Sequence, residues 1–163
     1  MRVDFIRHGI ALVAESGQDD TERKLSERGL ERTVAIAKTL RHHHYTWPVI
    51  LTSPLRRAEE TANIFRKQGL SDTVEILPSL APGGEFNDLV LWQQANPELG
   101  RVALIGHQPD LSHWVETAIW GEAKGAIQLK KAGLACVEFP DGFIRAGKGV
   151  LLELLTPKSL LRE

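Results

Sequence analysis

The feature that most constrains the fold of this chain is an alternation of short apolar segments with segments of helical spacing. An apolar run of about five residues bounded by turn residues predicts a buried strand, and apolar residues three or four apart predict a helix. The predicted strands are residues 3–6, 48–52, 74–77, 102–105, 134–139 and 150–155. The predicted helices are residues 26–41, 54 to about 68, 87–95 and 109–120. Ser53 and Pro54 are expected to be the N-cap and first residue of the second helix.

This alternation predicts the fold class. Parallel strands are joined by helical crossovers, which cover both faces of their sheet. We therefore expect an α/β fold, a three-layer α/β/α sandwich around a mostly parallel central sheet. The last two strands are expected to be joined by a turn around Asp141 and Gly142. The 163 residues suffice for one domain with a core of its own, so we expect a single domain over 1–163.

Polar residues directly follow four of the predicted strands. Ligands of parallel sheets bind beyond the carboxyl ends of the strands, so these residues are expected to share one rim. They are Arg7 and His8 after the first strand, Ser53 to Arg57 after the second, the 82–85 loop after the third, and Gly106 and His107 after the fourth.

Composition excludes several classes of function. Lysine and arginine number 20 against 21 acidic residues, so charge gives no reason to expect nucleic acid or a membrane as partner. The single cysteine, Cys136, excludes an internal disulfide and is expected to be a small core residue rather than a nucleophile. Charges at Arg2, Asp4 and Arg7 interrupt the N-terminal segment, which therefore lacks a signal-peptide pattern. These features favour a cytoplasmic protein.

The residues on the rim indicate phosphoryl transfer. A neutral imidazole attacks phosphorus, and its ordinary pKa lies close to physiological pH, so His8 is the candidate nucleophile. Arginine binds phosphate oxygens with a fixed two-pronged geometry, which suits Arg7 and Arg57 to hold the phosphoryl group. His107 is expected to donate to an oxygen that gains charge in the transition state.

Three motifs carry a resemblance to a known family. They are Arg7-His8-Gly9, the segment from Thr52-Ser53-Pro54-Leu55-Arg56-Arg57 to Ala62, and Ile105-Gly106-His107-Gln108-Pro109. In this order they resemble the histidine phosphatase (phosphoglycerate-mutase-like) superfamily over nearly the whole chain. Within that superfamily, the chain is most similar to the SixA-type phosphohistidine phosphatases. The similarity lies in its short length, in the stretch Glu22 to Gly29 and in the segment Gly106 to Ser112.

The resemblance implies an activity and a set of roles. It implies a phosphatase that removes phosphate from a histidine of a partner protein, such as a histidine-phosphotransfer domain in signal transduction, through a phospho-His8 intermediate and without metal or cofactor. Arg7, His8, Arg57 and His107 would form the phosphate pocket, while Gly9 and Ser53 would contact the substrate. Arg57 aligns with the arginine that precedes the family's alanine, which leaves Arg56 as a solvated or partner-facing charge.

One departure from the larger relatives bears on the substrate. They carry a general-acid glutamate shortly after the third strand, where this chain has Pro82. An alkoxide leaving group needs an acid, whereas the imidazole of phosphohistidine departs as a neutral ring, so the change favours a P–N substrate. Glu85 is either a substitute acid or a carboxylate stabilised at a helix N-terminus.

Other features leave alternatives open. Arg23 is either a rim contact to phosphate or a solvated loop charge. His42, His43 and His44 project in different directions, so a metal site there is not expected. The alternative functions are a small-molecule phosphomonoesterase using Glu85 as acid, and a module that binds phosphorylated partners with little turnover.

Overall fold

Six strands form one mixed sheet in the computed structural model, which describes residues 1–162. The strands are β1 Arg2–Arg7, β2 Ile50–Thr52, β3 Val74–Ile76, β4 Arg101–Gly106, β5 Leu134–Glu138 and β6 Val150–Leu155. The order across the sheet is β3-β2-β4-β1-β5-β6. β1 to β4 are parallel, and β5 pairs antiparallel with both β1 and β6. The prediction of a mostly parallel sheet is confirmed.

Helices cover both faces of the sheet, as predicted. They are α1 Glu27–His42, α2 Arg56–Lys67, α3 Phe86–Ala95, α4 Asp110–Trp120 and α5 Pro157–Leu161. Successive residues of a strand point to opposite faces, so the sheet separates two cores. Phe5 and Leu104 pack with residues of α3 and α4 on one face. Ile6 and Ile105 pack with residues of α1 and α2 on the other.

The start of the second helix was predicted wrongly. The helix begins at Arg56 with Leu55 as N-cap, and no side chain caps it. Ser53 is not the cap, because its hydroxyl accepts from the N–H of Leu55, 3.2 Å away, before the helix begins. Arg57 nevertheless lies in the first turn.

The sequence predicted no element after β6, which is wrong. α5 follows it, opened by Pro157 and by a capping box in which Thr156 and Ser159 satisfy each other's backbone N–H groups. The signal was present in Thr156-Pro157, but the helix is short enough to escape a search for helical spacing.

No helix within residues 1–162 has the length and apolar character needed to cross a membrane.

Candidate active site

The site lies where the carboxyl ends of β1, β4 and β2 meet. β4 lies between the other two, and hydrogen bonds continue past the strand ends. The N–H of His8 donates to Gly106 O at 3.0 Å, and the N–H of Ser53 donates to Ile105 O at 3.0 Å. The sheet therefore brings together three segments that are far apart in sequence.

His8 is buried and held in one orientation. Its Nδ1 lies 2.7 Å from the carbonyl oxygen of Gly9, which only accepts, so Nδ1 carries the proton and Nε2 keeps its lone pair. Burial, with the nearby His107 as the next contribution, lowers the pKa of His8 to about 3. The ring is therefore neutral at physiological pH.

Gly9 has a steric reason to be glycine. A Cβ at this position would lie 2.4 Å from the side-chain oxygen of Thr33 in α1. The N–H of Gly9 donates to Thr61 Oγ1 of α2 at 3.1 Å, which fixes the loop after His8 against two helices. The described contacts of Gly9 are therefore structural.

Arg57 is buried beside His8. Its Nε donates to His8 Nε2 at 3.3 Å, while its side chain is 4% exposed. Arg56 instead pairs with Glu60 on the surface and is 48% exposed. Burial lowers the pKa of Arg57 and Asp20 opposes this shift, but a guanidinium remains charged in proteins.

Asp20 was missed by the sequence interpretation. It lies in a 3₁₀ turn, Asp20–Glu22, between the predicted strand 3–6 and the predicted helix 26–41. Arg57 Nη2 donates to Asp20 Oδ2 at 3.0 Å, and Nη1 donates to the backbone oxygen of Asp20 at 2.8 Å. No periodicity identifies such a residue, because its contact depends on how the loop folds back over α2.

His107 lies opposite His8, with 5.1 Å between ring centroids. Its Nε2 is 2.7 Å from the hydroxyl of the fully buried Ser53. Its Nδ1 is buried and has no hydrogen-bond partner among residues 1–162. Burial first, and then the charge of Arg57, lower the pKa of His107 to about 4.

Arg7 is the last residue of β1, and its side chain contacts the segment before β5. It is half-buried, and its Nη1 donates to the backbone oxygen of Leu129 at 3.1 Å. Burial lowers its pKa, although the group stays protonated. No described hydrogen bond joins Arg7 to Arg57 or His107, but the charge of Arg7 helps to lower the pKa of both His8 and His107.

Two further predicted residues take peripheral positions. Arg23 pairs with Asp20 Oδ1 at 3.0 Å, and its charge helps to lower the pKa of both Arg57 and His107. Glu85 is exposed at the N-cap position of α3, and its carboxylate has no hydrogen bond or ion pair within residues 1–162. Residues 1–162 contain no group of three or more metal-ligating His, Cys, Asp or Glu side chains.

The arrangement suits the binding of a phosphoryl group and attack upon it. His8 presents an unprotonated Nε2, and the Arg57 guanidinium and His107 ring lie beside it. Cationic and neutral donors around a buried nucleophile stabilise the charge that phosphoryl transfer develops.

Comparisons with known proteins agree with this chemistry. The sequence profile of the histidine phosphatase superfamily (branch 1) matches residues 3–108. An uncharacterised protein of Picosynechococcus is 36% identical, with 99% of each chain covered. The phosphohistidine phosphatase SixA of Escherichia coli is 30% identical over 125 residues, which cover 75% of this chain and 76% of SixA.

A solved structure shows the same fold. The structure of the protein histidine phosphatase SixA complexed with tungstate superimposes with a TM-score of 0.84 at 26% identity, covering 98% of this chain and 99% of SixA. Members of the superfamily and the structural neighbours are phosphatases. The chain therefore belongs to the histidine phosphatase superfamily and is a phosphatase with a SixA-like fold.

Proposed function

We propose that this protein removes phosphate from a phosphohistidine of a partner protein, with His8 as nucleophile. The observation that carries the proposal is the neutral His8 ring, whose Nε2 faces the Arg57 guanidinium at 3.3 Å. A nucleophile and a phosphate-binding cation are thereby placed side by side. The 30% identity to the phosphohistidine phosphatase SixA supports the same activity.

The first step transfers the phosphoryl group. The partner's phosphohistidine first takes up a proton from water on its free ring nitrogen. A bond then forms between phosphorus and His8 Nε2 as the P–N bond to the partner's imidazole breaks, and that ring departs neutral. One P–N bond replaces another, so no strong acid has to protonate an alkoxide. Pro82 at the acid position of the larger relatives and the unpaired, exposed Glu85 fit this requirement.

The second step hydrolyses the intermediate. Water attacks phosphorus, the bond to His8 Nε2 breaks, and phosphate leaves with the ring again neutral. Ser53 prepares His107 for both steps: its hydroxyl oxygen accepts from Leu55 N–H, so its proton is available to His107 Nε2. His107 then carries its own proton on Nδ1, where it donates to a phosphoryl oxygen.

Substitution of the nucleophile tests the proposal. His8→Asn should abolish hydrolysis of a histidine-phosphorylated peptide and the trapping of labelled, acid-labile phosphate on the enzyme, because asparagine lacks a nucleophilic nitrogen. His113→Asn, a half-buried histidine of α4 without a proposed role, is the control and should retain both. Normal turnover by His8→Asn would refute the assignment.

Substrate comparison tests the choice of a P–N bond. Wild-type enzyme should hydrolyse the phosphohistidine peptide with a higher kcat/KM than sugar phosphates or nitrophenyl phosphate. Glu85→Gln should leave peptide hydrolysis unchanged. A preference for sugar phosphates that depended on Glu85 would instead establish a phosphomonoesterase. If the bound phosphohistidine peptide dissociated faster than it was hydrolysed in a single turnover, the protein would instead be a binding module.

A further inference from the structure

A groove of about 510 Å³ lies next to the proposed phosphate pocket, on the other side of β1. Arg7 belongs to both. The groove is formed by the loop after β1, α1, the segment before β5 and the first residues of α5. Among residues 1–162, the charged residues that line it are all cationic: Arg7, Arg32, Lys130, Lys131 and Lys158.

This concentration of positive charge is local. The whole chain carries a formal net charge of −1, yet none of the carboxylates within residues 1–162 lines the groove. Lys130, Lys131 and Lys158 are exposed, and they form no ion pair with any residue between 1 and 162. These three exposed lysines lie close together, so they repel one another and attract an anionic ligand.

The groove is attached rigidly to the site. The N–H of Ala132 donates to the backbone oxygens of both Arg7 and His8, at 3.0 and 3.1 Å. Three residues earlier, the N–H of Leu129 donates to Ser112 Oγ of α4 at 3.2 Å. The two lysines between these anchors are therefore held at a fixed place beside the nucleophile.

We propose that this groove binds a carboxylate-rich segment of the phosphorylated partner protein, and so orients its phosphohistidine over His8. The inference rests on the proposed function, since the substrate must be a macromolecule that spans both sites. The three exposed lysines lie outside the phosphate pocket, and the concave shape of the groove suits a few acidic side chains. Complementary charge accelerates association and fixes orientation.

Binding of an unphosphorylated probe tests the groove separately from catalysis. The probe is a fluorescein-labelled peptide rich in aspartate and glutamate, measured by fluorescence anisotropy. The triple variant Lys130→Glu, Lys131→Glu, Lys158→Glu should bind it about tenfold more weakly than wild type, because three attractive contacts become repulsive. Added salt should weaken wild-type binding.

A matched variant controls for net charge. Lys38→Glu, Lys67→Glu, Lys148→Glu makes the same change of charge at exposed lysines outside the groove, and should bind within about twofold of wild type. Far-UV circular dichroism and Tm check that both variants fold. Equal weakening in both variants, unchanged binding in the groove variant, or tighter binding of a DNA oligonucleotide than of the peptide would overturn the inference.

The two proposals fail separately. Groove-dependent binding of the acidic peptide without hydrolysis of a histidine-phosphorylated version would refute the proposed function and retain the docking surface. Hydrolysis of acidic and neutral phosphohistidine peptides at equal kcat/KM would retain the function and refute the docking surface.

Discussion

At the scale of single residues, Arg57 already has an anionic partner within the chain. Asp20 pairs with the guanidinium that we propose binds the phosphoryl group. The Asp20 side chain is 54% exposed, so solvent screens its attraction to Arg57 and the pair is weak. Burial opposes the shift, but Arg57 followed by Arg23 lowers the pKa of Asp20, so the carboxylate is charged at physiological pH.

Removing the charge of Asp20 should tighten phosphate binding. We expect Asp20→Asn to lower the inhibition constant of inorganic phosphate by about threefold, because a competing anion is lost. The measurement is competitive inhibition of nitrophenyl phosphate hydrolysis. Glu22→Gln in the same turn removes an exposed carboxylate without a contact to Arg57 and should have no effect. Weaker phosphate binding by Asp20→Asn would show that Asp20 assists the substrate instead.

Adjacent arginines provide a test of register in α2. Arg57→Ala should lower kcat/KM for the phosphohistidine peptide by about a hundredfold or more, since a buried donor to the transition state is lost. Arg56→Ala should remain close to wild type, because its described partner is Glu60 on the surface. Steady-state kinetics on both variants gives the answer. The reverse order of effects would mean that the wrong arginine has been assigned to the pocket.

At the scale of elements, the segment before β5 depends on one buried carboxylate. Glu116 of α4 is fully buried and accepts from four backbone N–H groups, those of Lys124, Gly125, Ala126 and Ile127. Burial alone would raise its pKa, but these donors lower it overall. The helix thereby organises a segment that has no secondary structure of its own and leads to Lys130 and Lys131.

Glu116→Gln should destabilise the protein by about 3 kcal/mol, because an amide nitrogen replaces an oxygen that accepts from two backbone donors. Urea denaturation measures the change. Glu122→Gln is the control: this exposed carboxylate pairs only with Lys124 at 3.7 Å and should alter stability by less than about 0.5 kcal/mol. A loss below 1 kcal/mol in Glu116→Gln would mean that the segment holds its shape without the carboxylate.

At the scale of the whole molecule, the site is built into the end of the sheet that separates the two cores. His8 and His107 are 6% and 4% exposed, and both are kept neutral by burial. Unfolding exposes the two rings to water, where their pKa returns to about 6.5. The titration of the site is therefore coupled to the stability of the entire fold.

Stability should fall as the pH is lowered below about 6.5. Between that value and the folded pKa values of about 3 and about 4, the unfolded chain binds protons that the folded chain excludes. Each pH unit in this window costs up to about 1.4 kcal/mol per ring. Urea denaturation of wild type at pH 7, 6 and 5 should show the decline, and His8→Asn should show a shallower one. An equal slope in both would indicate that His8 is already protonated in the folded protein.

The elements with strong local signals were predictable. Buried strands such as β4 and the long helix α1 appear close to their expected bounds, because apolar runs and helical spacing reflect the burial that stabilises them. The predicted start of α2 was wrong because the Ser53 hydroxyl contacts His107 and the N–H of Leu55 instead of capping the helix. Rules for helix caps consider only neighbouring residues, and His107 is distant in sequence. The 3₁₀ turn of Asp20 and the short α5 were missed because neither has enough residues to show a period.

The sequence by itself determined the fold class, the order of the strands along the chain and the candidate residues for the chemistry, since periodicity and motif order are local properties. Only the tertiary structure decided which of these residues meet. The parallel pairing of β1, β4 and β2 brings His8, Arg57 and His107 together, and burial there sets the protonation of both rings. The tertiary structure also places Asp20 on Arg57 and gathers five cations into one groove, because contacts between distant segments depend on how the whole chain packs.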